Sequence, residues 1–144
     1  MDGRGLVAAL SLGAVGVQMG TAFLMTEESG AHPLHKQSIK SSKEQDAVIT
    51  TAFSGKQARG IRNAFIDEMS DVEHTLPPYP IMNQLTQPIR KAAKENNNST
   101  SMSLWSGQGT RLSQTKTVAK LLETTIRDAK NLMYQFGKDE QHDR

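Results

Sequence analysis

"GVQMGTAF" (residues 16–23) is an apolar run that carries one polar side chain, Gln18, and then breaks at Gly20-Thr21. Another small-residue stretch, "DGRG" (2–5), lies just upstream. Two structures compete for this pattern, a membrane helix and a strand that ends in a ligand-binding turn. Gly5 to Met25 is 21 residues without a charge, long enough to span a bilayer. Gly16 and Gly20 even have GxxxG spacing. Against a membrane helix stand four glycines and the polar Ser11, Gln18 and Thr21. No Trp or Tyr flanks the run, and the flanking charges define no positive side. Asp2 beside Arg4, with no small-x-small cleavage pattern downstream, also argues against a secretory leader. The expectation is a cytoplasmic protein with no membrane segment.

The run divides better into two elements. In "RGLVAALSLGA" (4–14) the apolar Leu6, Val7, Leu10 and Ala14 are spaced as in a buried helix stripe. Asp2 can cap its start and Gly13 can end it. "VGVQM" (15–19) then reads as a short strand. Helix followed at once by a buried strand is half of a βαβ unit, which predicts a parallel sheet. Gly20-Thr21 becomes the turn at the carboxyl end of that strand, where α/β folds bind ligands. A glycine there lets the backbone approach a phosphate, and free N–H groups with the Thr21 hydroxyl can donate to it. The local sequence equally allows a plain tight turn with Thr21 capping a helix.

Composition removes several classes. Net charge is +2, from 17 basic and 15 acidic residues, with no basic stripe interleaved with aromatics; no nucleic-acid partner is expected. The chain has no cysteine, which excludes a disulfide framework, a thiolate zinc site and a cysteine nucleophile. No metal site is expected.

Downstream, "HPLHKQSIKSS" (32–42) predicts a polar helix, with His32 and His35 solvated beside Pro33. "DAVITTAFSG" (46–55) is rich in β-branched residues and predicts a strand. "RNAFIDEM" (62–69) predicts a short amphipathic helix, and "TLPPYP" (75–80) a break. Residues 81–94 read as helical with Pro88 kinking or dividing the helix. "KENNNSTS" (94–101) reads as an exposed linker. From Thr115 to Phe136, Val118, Leu121, Leu122, Ile126, Ala129 and Met133 mark the clearest long helix, before a tail expected to fray. In "FSGKQARG" (53–60), Lys56 and Arg59 either face an anion or lie on a solvated loop. Trp105, the only tryptophan, either closes over a bound ligand or packs a helix.

Taken together, "MDGRGLVAALSLGAVGVQMGTAFLMTEES", "TTAFSGKQARGIRNAFIDEM", "PYPIMNQLT", "IRKAA" and "LWSGQG" resemble the C-terminal part of the FMN-dependent nitronate monooxygenases. The likeness runs from Met1 to about Leu122. It implies an α/β fold, the C-terminal part of a (β/α)8 TIM barrel with additional C-terminal helices. A complete barrel of this kind needs about 250 residues. Residues 1–30 would supply the last barrel helix and strand with the phosphate-binding turn. Residues 31–114 would be post-barrel helices and loops, and 115–144 the C-terminal helix and tail.

The resemblance implies oxidative denitrification of alkyl nitronates with O2, with FMN carrying the electron chemistry. Gln18, Met19, Gly20 and Thr21 are the implied FMN contacts, Met19 through its backbone amide. The family's paired phosphate-binding glycines and its catalytic histidine lie upstream of the matched segment. His32, His35, His74 and His142 do not match that histidine's motif, so no catalytic residue is assigned. The chain alone is therefore expected to be inactive. An FMN-dependent enoyl-acyl-carrier-protein reductase shares a similar "GVQMGTRF" segment and is the rival enzyme reading. A non-enzymatic remnant is the third.

Overall fold

The computed structural model describes residues 2–139, in two compact units. One unit joins the segment up to Gly30 with the segment from Leu112 onward. The other is the intervening Ala31–Arg111.

The first unit is helical. Helix α1 (Gly3–Ser11) starts where expected: the Asp2 carboxylate accepts from Gly5 N at 3.2 Å and pairs with Arg4. It ends at Gly13, whose φ of +91° is the left-handed conformation that favours glycine. Gly13 N donates to Leu10 O and Ala14 N to Ala9 O, both at 3.0 Å, the paired bonds of a Schellman cap. Val7 faces the long helix α7 (Val118–Asp139), which buries Leu121, Thr124, Thr125 and Ala129. A short helix α2 (Thr21–Leu24) is anchored by the buried Ala22, Met25 and Thr26. Glu28 caps α7 from the far end of the sequence: its two carboxylate oxygens accept from Val118 N at 2.9 and 3.0 Å.

The expected strand at 15–19 does not form. That segment is irregular, and Val15 is fully exposed. A strand needs a neighbour to satisfy its N–H and C=O groups, and the described residues of this unit offer only helices. Leu12, 90% exposed, is likewise uncovered. The parallel sheet predicted from the helix–strand pattern is therefore not seen among the described residues.

The second unit begins with α3 (Pro33–Ser41), capped by His32 Nδ1 accepting from Leu34 N at 3.2 Å. Strand β1 (Ala47–Thr50) forms as expected, and pairs antiparallel with β2 (Ala58–Ile61), a strand that the sequence does not predict. Helix α4 (Ala64–Met69) is capped by Asn63 Oδ1 accepting from Ile66 N at 3.2 Å. Helices α5 (Ile81–Leu85) and α6 (Gln87–Glu95) divide at Thr86, which puts Pro88 in the first turn of α6, where a proline is tolerated. The core holds Ile39, Phe53, Ile61, Ile66, Met82, Met102 and Leu104. The 94–101 segment is not a free linker: α6 continues to Glu95, and Asn63 Nδ2 donates to Ser99 O at 3.1 Å and Met102 O at 2.8 Å. No helix among the described residues is long and apolar enough to cross a membrane. His142 lies outside the described residues.

Candidate functional site

The irregular segment after α1 delivers the chain to Gly20, which caps α2. Gly20 O accepts from Phe23 N at 3.0 Å and Leu24 N at 3.1 Å. The Thr26 hydroxyl donates back to Phe23 O at 2.8 Å, and Met25 is wholly buried, so the far end of the turn is pinned. The near end faces outward: Gln18 and Gly20 are exposed, Met19 and Thr21 half-buried.

Gly20 has φ −98° and ψ −68°, a backbone any residue adopts. A Cβ built on it meets nothing within 4 Å. Neither conformation nor internal packing calls for glycine here; the space a side chain would fill lies outside the protein surface. Met19 and Gly20 line a cleft of about 500 Å³ with Phe23, Leu24, Ser29 and Val118. Gln18 and Thr21 adjoin this wall in sequence but are not on the lining. The single charged lining residue is Glu28, already engaged at the α7 start. The first N–H groups of a helix have no acceptor inside it. The turn thus presents open space beside the start of α2, with no cation on the cleft wall.

"DGRG" has a structural explanation of its own. Asp2 caps and pairs with Arg4, and Gly3 lies against the backbone of α7.

In the second unit, Arg59 is on β2 and Nη1 donates to Ala47 O at 3.0 Å; Lys56 is exposed. Arg59 thus braces the strand pair. Trp105 is taken up by packing: it bridges Gly60 and meets Phe53 edge-on at 5.7 Å, while Phe53 stacks on Phe65 at 4.7 Å.

His35 is not solvated, contrary to expectation. Its Nε2 lies 2.9 Å from Trp105 O. A carbonyl oxygen only accepts, so Nε2 carries the proton and Nδ1 the lone pair. Burial pushes the imidazole below its ordinary value of 6.5; the Trp105 bond opposes this, and the charges of Lys94 and His32 add to it. Only the fold around Trp105 reveals this, because the Pro33 neighbourhood reads as surface. Glu73 was also missed. Partial burial raises its carboxyl, but Thr51 N–H, the Thr50 hydroxyl and Ala52 N–H outweigh that and hold it below the usual range. Its Oε1 accepts from Thr50 Oγ1 at 2.7 Å and from Thr51 N. Among the described residues, no group of acidic and histidine side chains could hold a metal ion.

The sequence model of the nitronate monooxygenase family matches residues 1–128. A probable nitronate monooxygenase of Staphylococcus haemolyticus is 50% identical over 133 residues, which are 92% of this chain and 37% of the relative. Its counterpart in Staphylococcus saprophyticus is also 50% identical over 92% of this chain and 38% of its own. Among solved structures, nitroalkane oxidase from Streptomyces ansochromogenes superposes with a TM-score of 0.83 at 35% identity, over 92% of this chain and 39% of that one. FabK from Thermotoga maritima does so with a TM-score of 0.78 at 29% identity, over 95% and 44%. The chain spans less than two fifths of the length of these curated relatives.

Proposed function

The chain belongs to the nitronate monooxygenase family, a family of enzymes, and from that premise we propose that its 18–21 turn receives the phosphate end of FMN in an enzyme that oxidises alkyl nitronates with O2. In this reading the chain contributes the C-terminal part of a (β/α)8 barrel. The observation that carries it is Gly20: a glycine with ordinary φ, beside a cleft, whose missing side chain leaves space that no other described residue fills.

FMN, when bound, supplies the electron transfer between nitronate and O2. This chain's part is binding. Met19 and Gly20 line the cleft, and Thr21 follows them as the first residue of α2. A hydrogen bond to a charged group is worth about 1.5–3 kcal/mol, so several such donors hold a phosphate without a cation. The buried Met25 and Thr26 fix their direction. No side chain here is assigned to proton transfer.

The test is a full-length hybrid in which this chain replaces the matching region of the Staphylococcus haemolyticus relative. The hybrid is expected to purify with flavin and to release nitrite from a nitronate. Gly20→Val should strip the flavin and leave the fold intact, while Thr21→Ala should weaken binding less. A Gly20→Val hybrid that keeps its flavin would remove the turn from the site. Oxidation of NAD(P)H with an enoyl thioester, and no nitrite, would replace the nitronate reaction with the reductase reading.

A further inference from the structure

We propose that the outer face of α6 forms an anion site for a small phosphate-bearing molecule, built from Arg90, Lys91 and Lys94 with Gln87 and Ser103. This site is independent of the Gly20 turn. Gln87, Arg90, Lys91 and Lys94 recur at i, i+3, i+4 and i+7, so one helical face gathers them. They line a cavity of about 310 Å³ with Ser103, and no acidic residue is on its wall.

The charges are poorly compensated. Among the described residues, neither Arg90 nor Lys94 has a carboxylate within 4.0 Å; Lys91 reaches Glu95 only at 3.9 Å. Like charges three and four residues apart on a helix repel, and an anion between them relieves that repulsion. Arg90 cannot swing away to solvent. Its Nη2 donates to Asn83 O at 2.7 Å and Asn83 Oδ1 at 2.9 Å, and Nε is buried without an acceptor. A guanidinium held in place loses little freedom on meeting a planar or tetrahedral oxyanion. Gln87 and Ser103 add neutral donors. The lysines are mobile point charges that suit a phosphate's several oxygens. The Lys94 charge already reaches His35, so the imidazole is a built-in reporter of what binds.

The experiment titrates inorganic phosphate and, separately, ribose 5-phosphate into the 144-residue chain at fixed ionic strength. Amide and His35 imidazole signals are followed by NMR. Saturable shifts confined to residues 87–95 and 103, with the His35 titration midpoint moving up, are expected. Tighter binding of the ester assigns a phosphorylated small molecule; equal binding assigns the phosphate group alone. Lys94→Gln should weaken binding at least tenfold, and Lys130→Gln on α7 should not. Arg90→Gln also breaks the Asn83 bonds, so Lys91→Gln serves as the second variant. Shifts that chloride reproduces, no saturation, or unchanged affinity in Lys94→Gln would overturn the site.

Discussion

Gly3 and Ala129 meet backbone to backbone: a Cβ on Gly3 would lie 2.6 Å from Ala129 N and 2.8 Å from Asp128 Cβ. No real Cβ tolerates those distances, and the obstacle is helix α7 itself. Gly3→Ala should therefore push α1 off α7 and cost about 1–3 kcal/mol, the range for overpacking a tight contact. Urea unfolding of the variant measures it. An unchanged midpoint would mean that the two helices do not approach this closely.

Gly20→Ala is the opposite case. Open space and φ −98° allow the methyl, so stability should move by less than about 1 kcal/mol, as at most unconstrained surface positions. Thermal unfolding checks it beside Gly3→Ala. A large loss would show that the protein needs this glycine for itself, and would remove the ground for assigning the space to a ligand.

His35 should make stability fall in mild acid. Its folded pKa lies below the unfolded 6.5, so the unfolded chain binds more protons between the two values. The contribution is full above about pH 6.5 and is lost as pH falls through the folded value. Unfolding free energies at pH 7.5 and 5.5 should differ in the wild type and differ less in His35→Gln. Parallel pH profiles would show that the imidazole protonates freely.

Glu73 ties β1's exit to the segment before Leu76. Thr50 is buried, so Glu73→Ala leaves its hydroxyl and the Thr51 N–H without their carboxylate acceptor. The loss should be about 1.5–3 kcal/mol, as for a hydrogen bond to a charged group. Because the carboxyl is held below its usual 4.5, its contribution is full above that pH and disappears as pH falls through the folded value. Denaturant titrations at pH 7 and pH 3.5 should show the variant's deficit at the first and a smaller one at the second. An equal deficit at both would assign the effect to packing.

What the sequence made legible was local. Asp2 and Gly13 bound α1, Pro88 divides two helices, and six apolar positions mark α7, because caps and periodicity act within a few residues. The family likeness rested on several motifs together, from "DGRG" to "LWSGQG". What stayed hidden depends on distant partners. Val15–Met19 has β-branched and apolar residues but no strand beside it. Arg59 becomes a strand residue only when Ala47–Thr50 arrives opposite. His35 is half-buried and bonded to the carbonyl of Trp105, seventy positions away. Glu73 matters because of a carboxylate contact that no short pattern encodes.

The capping of Val118 by Glu28 has a consequence for the order of events during synthesis. Glu27 N also donates to Lys116 O at 3.0 Å, so the chain leaves the first unit and re-enters it at adjacent points. The first unit cannot close until residues 31–111 have been made, whereas the second is contiguous and can close earlier. Helix α1 is complete at Ser11, but α7 begins roughly 100 residues later. At about 5–20 residues per second, the face of α1 that carries Val7 waits about 5–20 s for its partner. Throughout that wait the contiguous segment 31–111 can fold, while Val7 lacks the helix that buries it.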